Sequence, residues 1–470
     1  MSALFATEYS RALQLGIEKI NNNAGTAVAF HSVLDGFLRL DQNKIEKIIE
    51  AAGLDQTILA EEIPPEIHTP LDFVKGLLFS LKHGKALQLM VRSADTFRWM
   101  KEYACYDQLR LGGTSANMAS TLCQLGLSKV IVYANPLTRQ LAELFPPVDN
   151  LYVFTERDGA RRLSHPQQAW KNEGIFAVHW IFDFPAGLRV KVGDEVFTTP
   201  RANRFIAAWN PINNQLELDP TFTKGVLEHA RGISHFLLSG YHIISESYPD
   251  GTTFEDYIKP TVKFVDQLKA ANQQIKIHLE LASIASSALR KYLVEQVLPR
   301  VDSVGINEIE LAVLLNDLGE DGIAQDIMDN KIESFFEGAV RVVEKTKISR
   351  FHGHNLGYYL VITDKAYASP EEVKNGLFFA ATVAAARTKD GYLTQQNWRN
   401  GLNVPIKERD LREMARLDNY LQAKGYQKRG DLSWESAHHW IVAIPARVVD
   451  QPVLTVGLGD IISASAFLTT

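Results

Sequence analysis

At positions 457 to 466 the chain reads Gly457-Leu458-Gly459-Asp460-Ile461-Ile462-Ser463-Ala464-Ser465-Ala466. The apolar run at 452–456 predicts a buried strand, and the small and apolar residues after Asp460 can form a helix. Two glycines between them predict a tight turn whose free backbone N–H groups attract an anion at the helix N-terminus. A carboxylate beside that space can accept the proton of an attacking hydroxyl. A plain turn with Asp460 as helix cap is the alternative.

The composition is that of a globular protein with a large core. The chain has 470 residues, 46% of them hydrophobic and 22% charged, which allows one large domain with an appendage or two to three ordinary domains. The net charge of −6 argues against nucleic acid or an anionic membrane as the main partner. Cys105 and Cys123 provide neither a disulfide framework nor a four-ligand zinc site, which suits a reducing compartment. Because we find no secretion signal and no long apolar run, we expect a cytoplasmic protein without a membrane span.

Predicted strands and helices alternate along most of the chain. This pattern predicts an α/β fold with a doubly wound, mostly parallel sheet flanked by helices, and ligands at the carboxyl ends of the strands. Helical periodicity also dominates residues 42–101. The predicted strands are 26–31, 130–134, 151–155, 175–184, 235–238, 275–279, 303–306 and 358–363, and the predicted helices are 7–21, 254–271, 287–298, 308–318, 332–345 and 370–389.

A denser group of strands interrupts this alternation between about residues 150 and 210. Residues 188–192 and 195–198 form a hairpin pattern around the turn pair Gly193-Asp194. We therefore predict a smaller α+β layer, a candidate lid, inserted into the α/β core. The predicted boundaries are approximately 25–40, 60–110 and 150–210 for the lid, and 111–149 and 211–470 for the large domain.

Acid and amide side chains follow several predicted strands. Asn307 and Glu310 lie three residues apart at a helix start, where they suit the water shell of a phosphate-bound Mg²⁺ or simply a favourable helix N-terminus. His278 and Glu280 share one face of a strand, and a carboxylate buried there needs a metal-bound water or a cation as partner. Asp35 follows the first strand as a substrate ligand or a turn residue.

Glycines open a second helix of small residues. The pair Gly112-Gly113 lets the backbone approach a ligand closely or lets two elements pack, and both interpretations stay open.

The chain has no G-x-x-x-x-G-K-[ST] loop, H-E-x-x-H, C-x-x-C or G-x-S-x-G motif. P-loop phosphoryl transfer, zincins, zinc ribbons and α/β hydrolases are therefore excluded.

Three of these motifs together resemble those of one kinase family. Residues 457–460, 307–310 and 278–280 resemble the G-x-G-D, N-x-x-E and H-x-E motifs of the ADP-dependent sugar kinases, the glucokinase and phosphofructokinase group of the ribokinase-like superfamily. The resemblance covers most of the chain. It also includes the segments 110–113, 133–137, 179–182, 201–205, 239–241, 301–307 and 351–358.

The resemblance implies a ribokinase-like domain with a lid that closes on the sugar. It implies transfer of the β-phosphoryl group of ADP to a sugar or sugar phosphate, leaving AMP, with Mg²⁺ as cofactor. Asp460 would be the base, and the Gly457 and Gly459 amides the anion hole. The remaining implied contacts are Glu310 and Glu280 to Mg²⁺ through water, Asn307, His354 and Gly459 to the nucleotide, and Asp35, Gly112, Gly113 and His179 to the sugar. The expected assembly is a monomer or small homo-oligomer.

Departures from the family pattern concern the sugar. The first strand of the family usually ends in an N-x-N-x-D-like run, whereas here Val33 occupies the place of the asparagine two residues before Asp35, and His31 and Ser32 precede it. A glutamate of the glucose-using members aligns with Gln88. Ile461 stands where the family commonly has threonine.

Two arginines bear on the choice of acceptor. Arg201 and Arg204 can hold the 6-phosphate of fructose 6-phosphate, although one of them can instead buttress the fold. Fructose 6-phosphate is slightly favoured over glucose. Two other functions stay open: a ribokinase-like kinase that uses ATP or another sugar or nucleoside, and a non-catalytic sugar- or nucleotide-binding protein. The joint presence of Asp460, Glu310 and Glu280 argues against the binding protein, which needs no base.

Overall fold

The chain forms two main sheets of unequal size in the computed structural model, which describes residues 2–53, 63–171, 177–211 and 213–470. The strands are β1 Thr26–Ala29, β2 Val33–Arg39, β3 Leu87–Met90, β4 Gln108–Gly112, β5 Val130–Val132, β6 Leu151–Arg157, β7 Ala160–Ser164, β8 Val178–Phe184, β9 Arg189–Val192, β10 Glu195–Thr198, β11 Asn203–Trp209, β12 His235–Leu238, β13 Lys276–Glu280, β14 Ser303–Asn307, β15 Arg350–His354, β16 Tyr358–Asp364, β17 Gln427–Lys428, β18 Ser433–Glu435 and β19 His439–Pro445.

Helices connect most of these strands. They are α1 Ser2–Asn21, α2 Gln42–Ala51, α3 Pro70–His83, α4 Ala94–Tyr103, α5 Thr114–Leu125, α6 Arg139–Leu144, α7 Pro166–Ala169, α8 Pro220–Glu228, α9 Phe254–Ala271, α10 Ser287–Gln296, α11 Glu308–Asp317, α12 Asp321–Met328, α13 Ile332–Thr346, α14 Pro370–Asp390, α15 Glu408–Ala423 and α16 Leu458–Leu468.

The large sheet is mixed and mostly parallel. Within the described residues it has twelve strands in the order β17-β18-β19-β16-β15-β14-β13-β12-β1-β5-β6-β7. Neighbours from β15 to β6 run parallel, and the strands at both edges run antiparallel. The predicted α/β class with a mostly parallel sheet is therefore confirmed.

Helices cover both faces of this sheet. Successive side chains of a strand point to opposite faces, and in β1 Ala27 belongs to one hydrophobic core while Val28 belongs to another. Phe264 of α9 packs into the first core, and Met118 of α5 and Phe379 of α14 pack into the second. The two-sided burial explains why the parallel strands read as continuous apolar runs.

The small sheet has the order β3-β11-β8-β2-β4 within the described chain, and β9 and β10 form a separate hairpin. Three strands that fall within the predicted lid boundaries, β1, β6 and β7, pair in the large sheet. The region predicted as helical at 42–101 contains β3, whose four residues pair in parallel with β11. Of the strand predicted at 175–184, Ile175 and Phe176 lie outside the described residues.

The prediction of a strand at 452–456 is wrong. This segment has no regular structure, and the side chain of Val453 is 60% exposed. Pro452 has no N–H to donate to a ladder, and the backbone N–H of Val453 donates to the carbonyl of Thr388 instead. The segment leads from the end of the large sheet to α16 and lines the space between the two sheets.

Candidate active site

Parallel pairing brings three predicted motifs to one edge of the large sheet. Glu280, Asn307 and His354 are the last residues of the neighbouring strands β13, β14 and β15. Their carboxyl ends meet the start of α16 at a cleft of about 790 Å³. The lining residues include Gln88, Asn203, Arg204, His242, Glu280, Asn307, Glu310, His354, Gly457, Gly459 and Asp460.

Both glycines of the turn before Asp460 are required by their surroundings. Gly457 precedes α16 with φ of 71°, a left-handed conformation that favours glycine. A Cβ atom on Gly457 would lie 2.4 Å from Nδ2 of Asn117, and one on Gly459 would lie 2.8 Å from Cε1 of His354. The first N–H groups of a helix have no partner within the helix. The turn therefore presents backbone donors beside Asp460.

Asp460 is a buried carboxyl group at the wall of the cleft. Its Oδ2 accepts a hydrogen bond of 3.0 Å from Nδ2 of Asn117. Burial and then the charge of Glu280 raise the pKa of Asp460 well above its usual range; Glu310 adds to this effect, and Asn117 and His354 oppose it. Carboxyl groups gathered at one cleft favour a cation between them, because they otherwise repel one another.

Two histidines fix Glu280. Nε2 of His354 lies 3.0 Å from Oε1, and Nε2 of His278 lies 3.3 Å from Oε2. Burial opposes ionisation, but the charge of His354 and the hydrogen bonds from both rings lower the pKa of Glu280 to about 2. Nδ1 of His278 lies 2.9 Å from Oγ of Ser303, which accepts from Nη1 of Arg350 at 2.9 Å. Glu280 is thus a fixed anion.

Asn307 and Glu310 form a capping box at the start of α11. Oδ1 of Asn307 accepts from the N–H of Glu310 at 2.9 Å, and Oε2 of Glu310 accepts from the N–H of Asn307 at 3.0 Å. Both residues also line the cleft. Burial raises the pKa of Glu310 to about 8. The helix-cap interpretation therefore holds, and the same arrangement directs a carboxyl group towards the cleft.

The predicted sugar contacts lie together where the two sheets meet. Nδ1 of His179 lies 3.8 Å from Oδ1 of Asp35, and both side chains are buried. A Cβ atom on Gly112 would lie 2.1 Å from Oδ1 of Asp35, and one on Gly113 would lie 2.5 Å from the carbonyl of His31. Burial raises the pKa of Asp35 to about 7. Both glycines therefore let protein elements pack closely, and their contact with the sugar stays a prediction.

The two arginines have different surroundings. Arg204 lines the cleft, and its Nη1 donates to Oγ1 of Thr455 at 3.4 Å. Arg201 is exposed, does not line the cleft, and donates from Nε to the carbonyl of Gly84 at 2.7 Å. Gln88 lines the cleft from β3. The structure thus brings Arg204 and Gln88, but not Arg201, to the same space as Asp460.

Sequence reasoning missed several residues of this site. Asn117, His31, His242 and Asn210 were given no role, although all four lie beside predicted site residues. For Asn117, a polar residue one turn into a helix of small residues after Gly112-Gly113 was the available signal. For the other three the sequence offers only single polar residues near strand ends, and no spacing marks them.

A family profile matches nearly the whole chain. Residues 24–469 match the ADP-specific Phosphofructokinase/Glucokinase conserved region. The chain belongs to this family. Within the family, it is 31% identical over 94% of its length to an ADP-specific phosphofructokinase of Methanosarcina acetivorans, covering 92% of that protein. It is 30% identical over 98% of its length to an ADP-dependent glucose/glucosamine kinase of Pyrococcus furiosus, covering 97% of that protein.

Solved structures of family members superpose on the whole chain. An ADP-dependent kinase in complex with fructose 6-phosphate and ADPβS has a TM-score of 0.87 and 30% identity, covering 99% of this chain and 97% of that one. The last common ancestor of ADP-dependent phosphofructokinases from Methanosarcinales has a TM-score of 0.85 and 32% identity, covering 100% of this chain and 98% of that one. This family member is an ADP-dependent sugar kinase, as the motifs predicted. Across the described residues, we find no helix long and apolar enough for a membrane span.

Proposed function

We propose that this enzyme transfers the β-phosphoryl group of ADP to fructose 6-phosphate in the cytoplasm, with Mg²⁺ as cofactor. The observation that carries the proposal is the shared cleft. Its lining supports this reaction, because Asp460 lies at the start of α16, Glu280 at the end of β13, Glu310 in the first turn of α11 and Arg204 in β11 of the small sheet. A base, an anion-binding helix start and a cation on the acceptor side are what phosphoryl transfer between two phosphorylated molecules needs.

The surroundings of Arg204 favour an acceptor that carries a phosphate group. Burial lowers the pKa of its guanidinium, while the charges of Asp183 and Asp35 raise it. Its hydrogen bond to Thr455 is long at 3.4 Å, so its fork of donors remains available to a phosphate. Gln88 adds no negative charge to the same wall, unlike a carboxylate, which would repel a sugar phosphate. The relatives that are phosphofructokinases agree with this choice.

The chemical step uses the residues of the α16 turn. The O1 hydroxyl of the sugar attacks the β-phosphorus of ADP, the O1–P bond forms, and the bond from the β-phosphorus to the bridging oxygen breaks to release AMP. The proton of the hydroxyl passes to the carboxylate of Asp460. The backbone N–H groups at the start of α16 stabilise the charge that develops on the transferring group.

The donor set fits a hydrated Mg²⁺. Among the described residues, no group of three or more His, Cys, Asp or Glu side chains is placed to hold a metal ion directly. Glu280 and Glu310 nevertheless face one cleft, and Mg²⁺ usually keeps several waters and shares its shell with substrate phosphates. We propose that these two carboxylates hold the water shell, with Asn307 and His354 beside the nucleotide phosphates. When bound, Mg²⁺ neutralises charge on the phosphoryl oxygens.

We further propose that the small sheet acts as a lid over the acceptor. Arg204, Asp35 and His179 all belong to it, whereas Asp460 and Glu310 belong to the large sheet and its helices. Acceptor and donor sites thus lie on opposite sides of one cleft. Excluding water from this cleft protects ADP from hydrolysis during transfer.

Product analysis tests the proposed reaction. The enzyme is incubated with Mg²⁺ and either ADP or ATP, against glucose, fructose 6-phosphate and nucleosides, and both AMP and the phosphate ester are measured. We expect AMP and fructose 1,6-bisphosphate in equal amounts, and the highest kcat/KM for fructose 6-phosphate with ADP. Glucose is the second candidate acceptor, because a glucose/glucosamine kinase is among the relatives. A higher kcat/KM for glucose would replace the proposed acceptor.

A further inference from the structure

A group of buried polar atoms without partners lies beside Asp35. We call His31, His179, His242 and Asn210 the histidine cluster. Both ring nitrogens of His31, Nδ1 of His242, Oδ1 of Asn210 and Oδ1 of Asp35 have no hydrogen-bond partner within the described chain. Buried polar groups are nearly always paired in folded proteins, so such a concentration of unpaired atoms requires an explanation.

The members of the histidine cluster contact one another across both sheets. The ring centroids of His31 and His242 lie 4.7 Å apart and those of His31 and His179 lie 5.4 Å apart. Nε2 of His179 lies 3.2 Å from Nδ2 of Asn210. His31 follows β1 and His242 follows β12, both in the large sheet, whereas His179 lies in β8 of the small sheet. The cluster therefore bridges the two sheets.

Local backbone geometry holds His31 and His242 together. Gly240, with φ of 100°, precedes the 3-10 turn that carries His242, and a Cβ atom there would lie 3.2 Å from Cβ of His31. His31 is 1% exposed, and its own N–H donates to Oγ of Ser115 at 3.0 Å. His242 lines the cleft that contains Asp460. His242 therefore connects the unpaired atoms of His31 to the cleft.

The chemistry of these atoms matches hydroxyl groups. Burial lowers the pKa of His31, His179 and His242, so all three rings are neutral near pH 7. A neutral imidazole has one donor and one acceptor nitrogen, and Oδ1 of Asn210 and Oδ1 of Asp35 are acceptors. A sugar hydroxyl also donates once and accepts. A polyol is therefore the kind of ligand that satisfies donors and acceptors placed side by side.

Neighbouring residues cannot supply these contacts. Val33, which lies between His31 and Asp35, is 1% exposed and has an apolar side chain. Ser32 donates its hydroxyl to the carbonyl of Tyr133 at 2.7 Å. The residues that precede Asp35 therefore leave His31 as the one with free polar side-chain atoms.

We infer that the histidine cluster binds hydroxyl groups of the acceptor sugar, with His31 and His242 as specificity-determining residues. The inference rests on the proposed function, because it takes the acceptor to be a sugar. The hydroxyls exchange water for the unpaired nitrogens and oxygens of the cluster, so binding the acceptor satisfies atoms that the protein leaves unpaired. An acceptor that lacks one of these hydroxyls leaves the corresponding atoms unpaired and binds less tightly.

The test measures acceptor binding directly. Calorimetric titration gives the Kd of fructose 6-phosphate and of glucose for wild type, His31→Phe and His242→Phe, which keep an aromatic ring and remove its nitrogens. We expect Kd for the tighter acceptor to rise by about 10- to 100-fold in each variant, while Kd for ADP stays within about twofold. Steady-state KM should rise in parallel, with kcat at saturation changed much less.

His352→Phe is the matched control. His352 is also fully buried, and its ring nitrogens have no partner among the described residues, but it lies in β15 of the large sheet and is not one of the cluster. Its replacement should leave the acceptor Kd unchanged. Equal acceptor binding by wild type, His31→Phe and His242→Phe would overturn the inference. Failure of the wild type to bind any sugar would instead contradict the proposed function.

Deoxy analogues of the acceptor supply a second readout that does not depend on turnover. An analogue that lacks the hydroxyl bound by His31 should bind wild type and His31→Phe with similar Kd, whereas the complete sugar should not. His31→Gln, which restores one donor and one acceptor without a ring, guards against misfolding of the phenylalanine variant. If the loss of affinity from removing a hydroxyl and the loss from replacing His31 added up for every analogue, His31 would act only by supporting the fold.

Discussion

Asn117 donates a hydrogen bond of 3.0 Å from Nδ2 to Oδ2 of Asp460. The two residues lie in the first turns of α5 and α16, so the contact joins two helix N-termini at the cleft. This bond lowers the pKa of Asp460, against burial and the charges of Glu280 and Glu310. Gly457 leaves room for the amide, because a Cβ atom there would lie 2.4 Å from Nδ2. Asn117 therefore tunes the residue that we propose as the base.

Asp460→Asn should separate binding from chemistry. The amide keeps the shape of the side chain and removes its capacity to take a proton, so we expect kcat to fall by about 10²- to 10⁴-fold. Kd for ADP should change little, because the N–H groups of the turn remain. Steady-state kinetics and calorimetry of the same protein measure both quantities. Retention of more than about a tenth of wild-type kcat would reduce Asp460 to a helix cap.

Asn117→Ala should move the acid limb of the pH–rate profile. A base works only when ionised, so kcat rises as pH increases through the pKa of Asp460. The amide hydrogen bond lowers that pKa, so its loss should move the limb to higher pH. The measurement is kcat from pH 5 to 9. Ser120→Ala, one turn further along α5, is the control and should keep the wild-type profile.

Glu310→Gln should depress turnover by more than about tenfold and raise the Mg²⁺ concentration needed for half-maximal rate. The volume and the capping geometry are kept, and only the charge on the metal path is removed. Glu308→Gln, in the same first turn of α11, is the matched control. Titration of the rate with Mg²⁺ distinguishes the two. An unchanged Mg²⁺ dependence in Glu310→Gln would contradict the proposed metal role.

Arg204→Gln should raise KM for fructose 6-phosphate far more than KM for glucose, because only the first acceptor carries a phosphate. Arg201→Gln is a matched control, since Arg201 donates to the carbonyl of Gly84 and does not line the cleft. We expect its ratio of KM values to match wild type. Equal losses for both sugars in Arg204→Gln would indicate a structural role for this arginine.

Asp35→Asn should stabilise the protein at high pH. Burial raises the pKa of Asp35 from 3.8 to about 7, so the folded state prefers the protonated form. Ionisation of Asp35 therefore lowers the free energy of unfolding as pH rises. The loss begins above about pH 4 and is complete above about pH 7, where it amounts to about 4 kcal/mol at most. Tm of the variant should therefore exceed that of wild type at pH 8 and approach it at pH 4, while acceptor binding is lost. Equal Tm differences at both pH values would contradict the assignment.

The adjacency of Glu280 and Asn307 was predictable from the sequence, whereas the strand on which the placement of Asp460 rested is not among the described elements. Glu280 and Asn307 each end a strand with an apolar run, and the ends of parallel strands meet at one edge. This part of the cleft could thus be placed from the sequence alone. Its arrangement followed from a general property of α/β sheets and needed no knowledge of distances.

Contacts between distant segments could not be predicted in this way. Asn117 and Asp460 are separated by 343 residues, and periodicity carries no information on such pairs. The assignment of β1 to the large sheet and β2 to the small one depends on pairing with β5, β12 and β8, which apolar runs do not specify. At 452–456 the residues have the composition of a strand, but within the described chain they pair with no strand.

The chain passes between the two sheets four times, from β1 to β2, from β4 to α5, from β7 to β8 and from β11 to β12. The small sheet therefore consists of two separate stretches of sequence, and neither stretch contains all of its strands. Deleting one stretch removes the strands with which the other stretch pairs. The small sheet therefore cannot be expressed alone as one contiguous segment. Circular permutants that open the chain at a crossing would cut a connection on which both sheets depend.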